Sequence, residues 1–265
     1  MTDDALLLIG RDAANAGEVL ATHAERIERQ GAVDAAHVAT YESEPVRELR
    51  DRLGSLSADR VYAVPMCAAH TYETTEDVPA ALSYVPGEVR YCEPVGRSPA
   101  VTGALLDRAT DEVRPGADAS LVLVGFGNSS QPYGRRVVRY HAGRLRERSS
   151  YGEVTTAFLL QNPAVECARY AVTGDRPVAV PLFVARSDAT EAAIPRKLEL
   201  DRGGFGYADP LGRHPRVTRA VRSAIETRRA VARADRPASF EDALAASRRP
   251  VATDGEGAGP SPDDR

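Results

Sequence analysis

Glu93-Pro94-Val95-Gly96-Arg97-Ser98-Pro99 returns 116 residues later as Asp209-Pro210-Leu211-Gly212-Arg213-His214-Pro215. Working outward, Val64-Pro65-Met66 returns as Val180-Pro181-Leu182 and Val78-Pro79 as Ile194-Pro195, both at the same offset of 116. Leu7-Leu8-Ile9-Gly10 returns as Val122-Leu123-Val124-Gly125 at 115, and Ala39 and Pro45 match Ala157 and Pro163 at 118. Matches in one order at near-constant spacing mark an internal duplication. The chain reads as two homologous halves, 1–116 and 117–234. A polar stretch rich in Pro, Gly, Ser and Asp follows over 235–265, and is expected to be disordered.

Each half alternates short apolar runs with amphipathic stretches. In the first, Ala5–Ile9, His37–Tyr41, Arg60–Pro65 and Val89–Cys92 read as strands. Asn15–Gln30, Pro45–Leu56, Thr75–Leu82 and Pro99–Val113 carry helical periodicity. Strands near Ser120–Val124, Glu153–Leu159, Pro177–Pro181 and Phe205–Ala208 repeat the order. Asp12 and Thr75 read as N-caps, and Pro45, Pro99, Pro163 and Pro215 suit first helical turns. Uniformly apolar strands in a β-α-β-α order predict an α/β fold: two tandem flavodoxin-like domains, each a four-stranded parallel sheet flanked by helices. Ligands in such folds bind beyond the C-terminal ends of the strands.

Composition narrows the function classes. The formal net charge of −4 gives no electrostatic reason for a nucleic-acid partner. No apolar run approaches the roughly 18 residues of a membrane span, and Met1-Thr2-Asp3-Asp4 does not open like a signal peptide, so a cytoplasmic location is expected. The three cysteines, Cys67, Cys92 and Cys167, form no C-x-x-C pair; buried free thiols are expected at Cys92 and Cys167. No G-x-G-x-x-G or G-x-x-x-x-G-K-[ST] pattern occurs, so nucleotide use is not expected.

The strand-end motifs carry a family resemblance. Pro65-Met66-Cys67-Ala68-Ala69-His70-Thr71-Tyr72-Glu73-Thr74-Thr75-Glu76-Asp77-Val78-Pro79 aligns without gaps with a P-L-F-L-x-x-G-x-H-x-x-x-D-I-P pattern, and Glu93-Pro94-Val95-Gly96 with E-P-L-G. Each half resembles the class II tetrapyrrole chelatases, the sirohydrochlorin chelatases of the CbiX and SirB type. The resemblance covers roughly 5–110 and 120–230, as a tandem-duplicated member with a diverged site. It places the family histidine of the third motif on Glu73 and, in the second half, on Ala189. The histidine of the opening G-H-G-S falls on Arg11 and Phe126. His70 stands three residues before Glu73 instead.

The resemblance implies ATP-independent insertion of a divalent metal (Co²⁺, or Fe²⁺ or Ni²⁺) into sirohydrochlorin or a related tetrapyrrole, a lyase-class reaction of cobalamin- or siroheme-type biosynthesis. The metal is then substrate; no tightly bound cofactor, nucleic acid or membrane partner is implied. Neutral imidazole and carboxylate suit such ions and can accept the protons leaving the pyrrole nitrogens. His70 and Glu73 are the candidate catalytic groups, and with Glu42 the candidate metal donors. Arg11, Arg97, Arg186 and Arg213 are candidate anchors for substrate carboxylates. Gly125-Phe126-Gly127-Asn128-Ser129-Ser130 is expected to open a helix able to receive one more. His23, His37 and His141 read as structural and His214 as a cap, while Cys67 reads as a small buried residue rather than a thiolate ligand. A different class fits the same residues: a non-catalytic tetrapyrrole- or metal-binding protein derived from a chelatase.

Overall fold

The computed structural model describes residues 3–128 and 132–234; the stretch 235–265 and positions 129–131 lie outside them. Two four-stranded, all-parallel sheets form, in the orders β2-β1-β3-β4 and β6-β5-β7-β8. The strands are β1 Asp4–Arg11, β2 Ala35–Tyr41, β3 Arg60–Pro65, β4 Glu88–Tyr91, β5 Ala119–Gly125, β6 Glu153–Phe158, β7 Arg176–Pro181 and β8 Gly206–Tyr207. The helices are α1 Ala16–Arg29, α2 Pro45–Glu48, α3 Arg50–Gly54, α4 Val78–Leu82, α5 Pro99–Glu112, α6 Tyr133–Arg148, α7 Ala168–Ala171, α8 Ile194–Lys197 and α9 Pro215–Ala234. The expected class and strand order of elements hold. No helix among the described residues is long and apolar enough to cross a membrane.

Central strands need apolar residues on both faces because helices cover both. Ala5, Leu6, Leu7 and Leu8 of β1 are wholly buried, as are Leu121, Val122, Leu123 and Val124 of β5. Short helices α2, α3 and α4 cover the outer face of the first sheet, and α7 and α8 that of the second. The four long helices lie between the sheets in one continuous core.

Their assignment to the sheets crosses the chain order. The last helix, α9, packs on α1 and β3 of the first half, and α5 packs on α6 and β7 of the second. The first sheet uses strands up to Tyr91 and the second strands from Ala119 onward, but each sheet is completed by the other half's terminal helix. Each long helix carries a buried stripe at helical spacing, such as Val19, Leu20, Ala24 and Ile27 of α1. Each stripe holds one buried polar residue, and these meet in pairs across the halves. His23 Nδ1 lies 2.8 Å from Thr218 Oγ1 and its Nε2 2.9 Å from the Gly212 carbonyl. His141 Nδ1 lies 2.8 Å from Thr102 Oγ1 and its Nε2 2.7 Å from the Gly96 carbonyl. A carbonyl only accepts, so Nε2 carries the proton and each threonine hydroxyl donates to Nδ1. Burial drives both imidazoles down to a pKa of about 4, so they are neutral at pH 7.

Several local expectations are corrected. Asn15, rather than Asp12, precedes α1. Thr75 lies inside a π-helical turn, Glu73–Asp77, whose backbone Thr71 and Thr74 tie with side-chain hydrogen bonds. The stretch expected as one helix over Pro45–Leu56 is two, α2 and α3. Pro163 follows a cis peptide bond in a loop rather than opening a helix. Cys167 is exposed, whereas Cys92 is buried as expected.

Candidate active site

The C-terminal ends of both sheets face a cleft of about 1160 Å³. Its first wall is made by the ends of β1, β2 and β3 and its second by the ends of β5 and β7. Small residues such as Gly10, Ala13, Ala68, Gly125 and Ala185 keep the floor open.

His70 lines the first wall on the loop after β3, its side chain 17% exposed. Nε2 donates to Glu93 Oε2 at 3.2 Å, and Nδ1 meets Thr74 Oγ1 at a looser 3.3 Å. Glu93 also accepts from Arg97. The hydrogen bond from His70, reinforced by Arg97, holds the Glu93 carboxyl down at about 2, so it stays ionised. Gly96 makes this approach possible. Its N–H donates to the Cys67 carbonyl at 3.0 Å, and a Cβ there would stand 2.3 Å from the Ala68 carbonyl oxygen. The loop after β4 thus lies directly on the loop after β3, bringing Glu93 to the histidine.

Glu73 lines the same wall, 28% exposed. One carboxylate oxygen accepts from Thr71 Oγ1 at 2.7 Å and the other lies 3.4 Å from Arg11 Nη1. Arg11 is in the cleft as well, and its Nε donates to the Glu42 carbonyl at 3.0 Å. The Cys67 thiol donates to the Ala69 carbonyl at 3.2 Å, and burial pushes its pKa up to about 12. The thiol is neutral at pH 7, but Cys67 is only partly buried and lines the cleft, where a buried residue was expected.

Glu42 is not brought to His70 and Glu73. Tyr41 and Ser43 line the cleft while the exposed Glu42 side chain does not. The loop is fixed by Glu48, whose carboxylate accepts from the backbone N–H groups of Glu42, Ser43 and Glu44 at 2.7, 3.0 and 2.6 Å. Glu42 reaches the site through its carbonyl. Among the described residues no three His, Cys, Asp or Glu side chains converge as a metal cage.

Of the four arginines, Arg11 alone lines the cleft. Arg97 pairs with Glu93, Arg186 with Asp209 at 2.8 Å, and Arg213 with Glu18 of α1. His214 shapes the start of α9 as expected, its Nδ1 accepting from the Arg216 N–H at 3.2 Å. Sequence reasoning missed Glu93, which it placed in the frame of the fourth motif, and the exposed aromatics of the cleft, Tyr72 and Phe126. A carboxylate at the end of the strand next to His70 was the available signal.

The comparisons agree with this architecture. The sequence profile of the CbiX family matches residues 5–112 and again 120–228. A Halobacterium salinarum protein called a probable sirohydrochlorin cobaltochelatase is 28% identical over 221 residues, 72% of this chain and 75% of its own. SirB from Bacillus subtilis, solved with Fe³⁺, superposes with a TM-score of 0.70 at 21% identity, covering 88% of this chain and 98% of SirB. A multi-domain protein from Deinococcus radiodurans with structural similarity to chelatases gives 0.70 at 22% identity over 85% of this chain. The chain spans 55% of that protein's length. Both structural likenesses concern the fold.

Proposed function

Since the chain belongs to the CbiX family, we propose that it is a metal chelatase that inserts a divalent ion, Co²⁺ first among the candidates, into sirohydrochlorin or a related tetrapyrrole without ATP. The observation that carries this reading is His70, on the wall of a cleft open between two strand-end edges and backed by the Glu93 carboxylate. The name of the Halobacterium relative, a probable sirohydrochlorin cobaltochelatase, supports the same reading.

Insertion requires that two pyrrole N–H protons leave as the ion enters, so charge is conserved when a base takes them. His70 is the base of this reading, taking the two protons one after the other at Nδ1 and passing the first to water in the open cleft before the second leaves the macrocycle. Glu93, ionised at neutral pH, stabilises the imidazolium that forms, and the weaker Nδ1 contact is the one that opens to the substrate. Glu73 supplies the carboxylate that receives the ion, releasing Arg11 to a carboxylate on the rim of the macrocycle. A thin donor set suits an ion that is passed on rather than kept. The three free cysteines support a reducing, cytoplasmic setting.

The test is anaerobic incubation with sirohydrochlorin and Co²⁺, followed by the visible spectrum against a protein-free control. Insertion above background that is lost in His70→Ala/Glu73→Ala supports the proposal. A spectral shift on mixing without insertion of Co²⁺, Fe²⁺ or Ni²⁺ would replace it with the non-catalytic binding protein.

A further inference from the structure

The two walls of the cleft differ in chemistry. The first carries Arg11, Tyr41, Cys67, His70, Glu73 and Asp77. The second presents Phe126, Leu182, Phe183 and Val184, with Asp188 its only carboxylate among the described lining residues. Phe126 is 54% exposed, although water contact costs a phenyl ring free energy that a buried rotamer would recover. Phe183 meets it edge-on, with ring centroids 6.4 Å apart and planes at 71°. Gly127 holds the turn that presents the ring. Its φ is +80°, and a Cβ there would fall 2.8 Å from the Gln161 side chain. At the matching position of the first half stands Arg11.

We infer that Phe126, backed by Phe183, is a platform against which one face of the macrocycle lies, so that the metal enters from the opposite face only. This rests on the chelatase reading above. An exposed phenyl ring inside a cleft, held edge-on by a half-buried one, fits a flat conjugated ring. A face stacked on the Phe126 ring is closed to a hydrated ion. The other face then looks at Glu73 and His70, so donor and base act on the same side of the ring.

Metal-free sirohydrochlorin, titrated into wild type, Phe126→Ala and Phe126→Leu and followed by its absorbance, tests the platform. Phe126→Ala should raise Kd about tenfold, Phe126→Leu should recover part of the loss, and kcat at saturating macrocycle should change less than about threefold. An unchanged Kd for Phe126→Ala, or a loss confined to its kcat, beside a wild type that binds and metallates, overturns the platform and leaves the chelatase reading standing. A wild type that neither binds nor metallates takes down both. Sidedness has its own test. Phe126→His places a donor on the closed face and should not restore insertion to His70→Ala/Glu73→Ala; recovered insertion overturns entry from one side.

Discussion

The first and second halves keep the same frame and fill it differently. Tyr91 Oη donates to the Thr74 carbonyl at 2.7 Å, and Tyr207 Oη to the Thr190 carbonyl at 2.8 Å. Thr71 N–H donates to Thr74 Oγ1 at 2.8 Å, and Ser187 N–H to Thr190 Oγ1 at 3.0 Å. A π-helical turn follows in each, at Glu73–Asp77 and Ala189–Ala193. Yet where the first half sets His70 against Glu93, the second sets Arg186 against Asp209. The exchange keeps a nitrogen donor on a carboxylate but replaces an imidazole, whose second ring nitrogen can accept a proton, with a guanidinium that cannot. Burial and backbone bonding hold the frame constant; the side chains beyond the strand ends are where the halves have been free to part.

If the halves are alike in their staples, acid should expose it first. His23 and His141 both sit near 4 when folded and near 6.5 when unfolded. The unfolded chain binds more protons between those values, so stability is full above about pH 6.5 and falls as pH drops toward 4. The loss is on the order of 3 kcal/mol per histidine at pH 4. Arg26 beside His23 and Arg144 beside His141 push the same way. Urea unfolding across this range should show it, and His23→Gln and His141→Gln should flatten the dependence about equally. Unequal effects would break the symmetry of the staples.

If the halves are unlike in their walls, catalysis should divide them. His70→Ala/Glu73→Ala should lower the insertion rate on the order of a hundredfold or more, measured by the macrocycle spectrum. Glu93→Gln keeps the shape but removes the charge that steadies the imidazolium, and should cost about tenfold. Arg186→Ala/Asp209→Ala, the mirror change, removes an exposed ion pair and should alter the rate less than about fivefold. An equal loss in both halves would mean that the second wall also takes part in the chemistry.

Much of the fold was legible because prolines and glycines punctuate both halves at one spacing, as in Pro94–Gly96 and Pro210–Gly212. The crossing of α5 and α9 was not. A repeat shows that two helices are alike, not which sheet each covers, and a buried stripe such as Val217, Val221 and Ile225 fits either. In the site, His70 and Glu73 follow from one ungapped motif on one loop. Glu93 needs the contact between two loops that Gly96 permits, which spacing along the chain does not encode. Glu42 fails on the turn after β2: Glu48 gathers the backbone N–H groups of Glu42, Ser43 and Glu44, and the Glu42 side chain is left exposed outside the cleft, which motif alignment does not encode.

The crossed helices also set a timetable for biosynthesis. β1 and α1 leave the ribosome early, but the apolar surface they share is closed only by α9, through contacts such as His23 to Thr218 that span 195 residues. The first half cannot complete its fold while the second is still being made, and its inner face stays exposed to other nascent chains for most of translation. Each sheet is thus left with an uncovered apolar face until a helix encoded in the other half arrives.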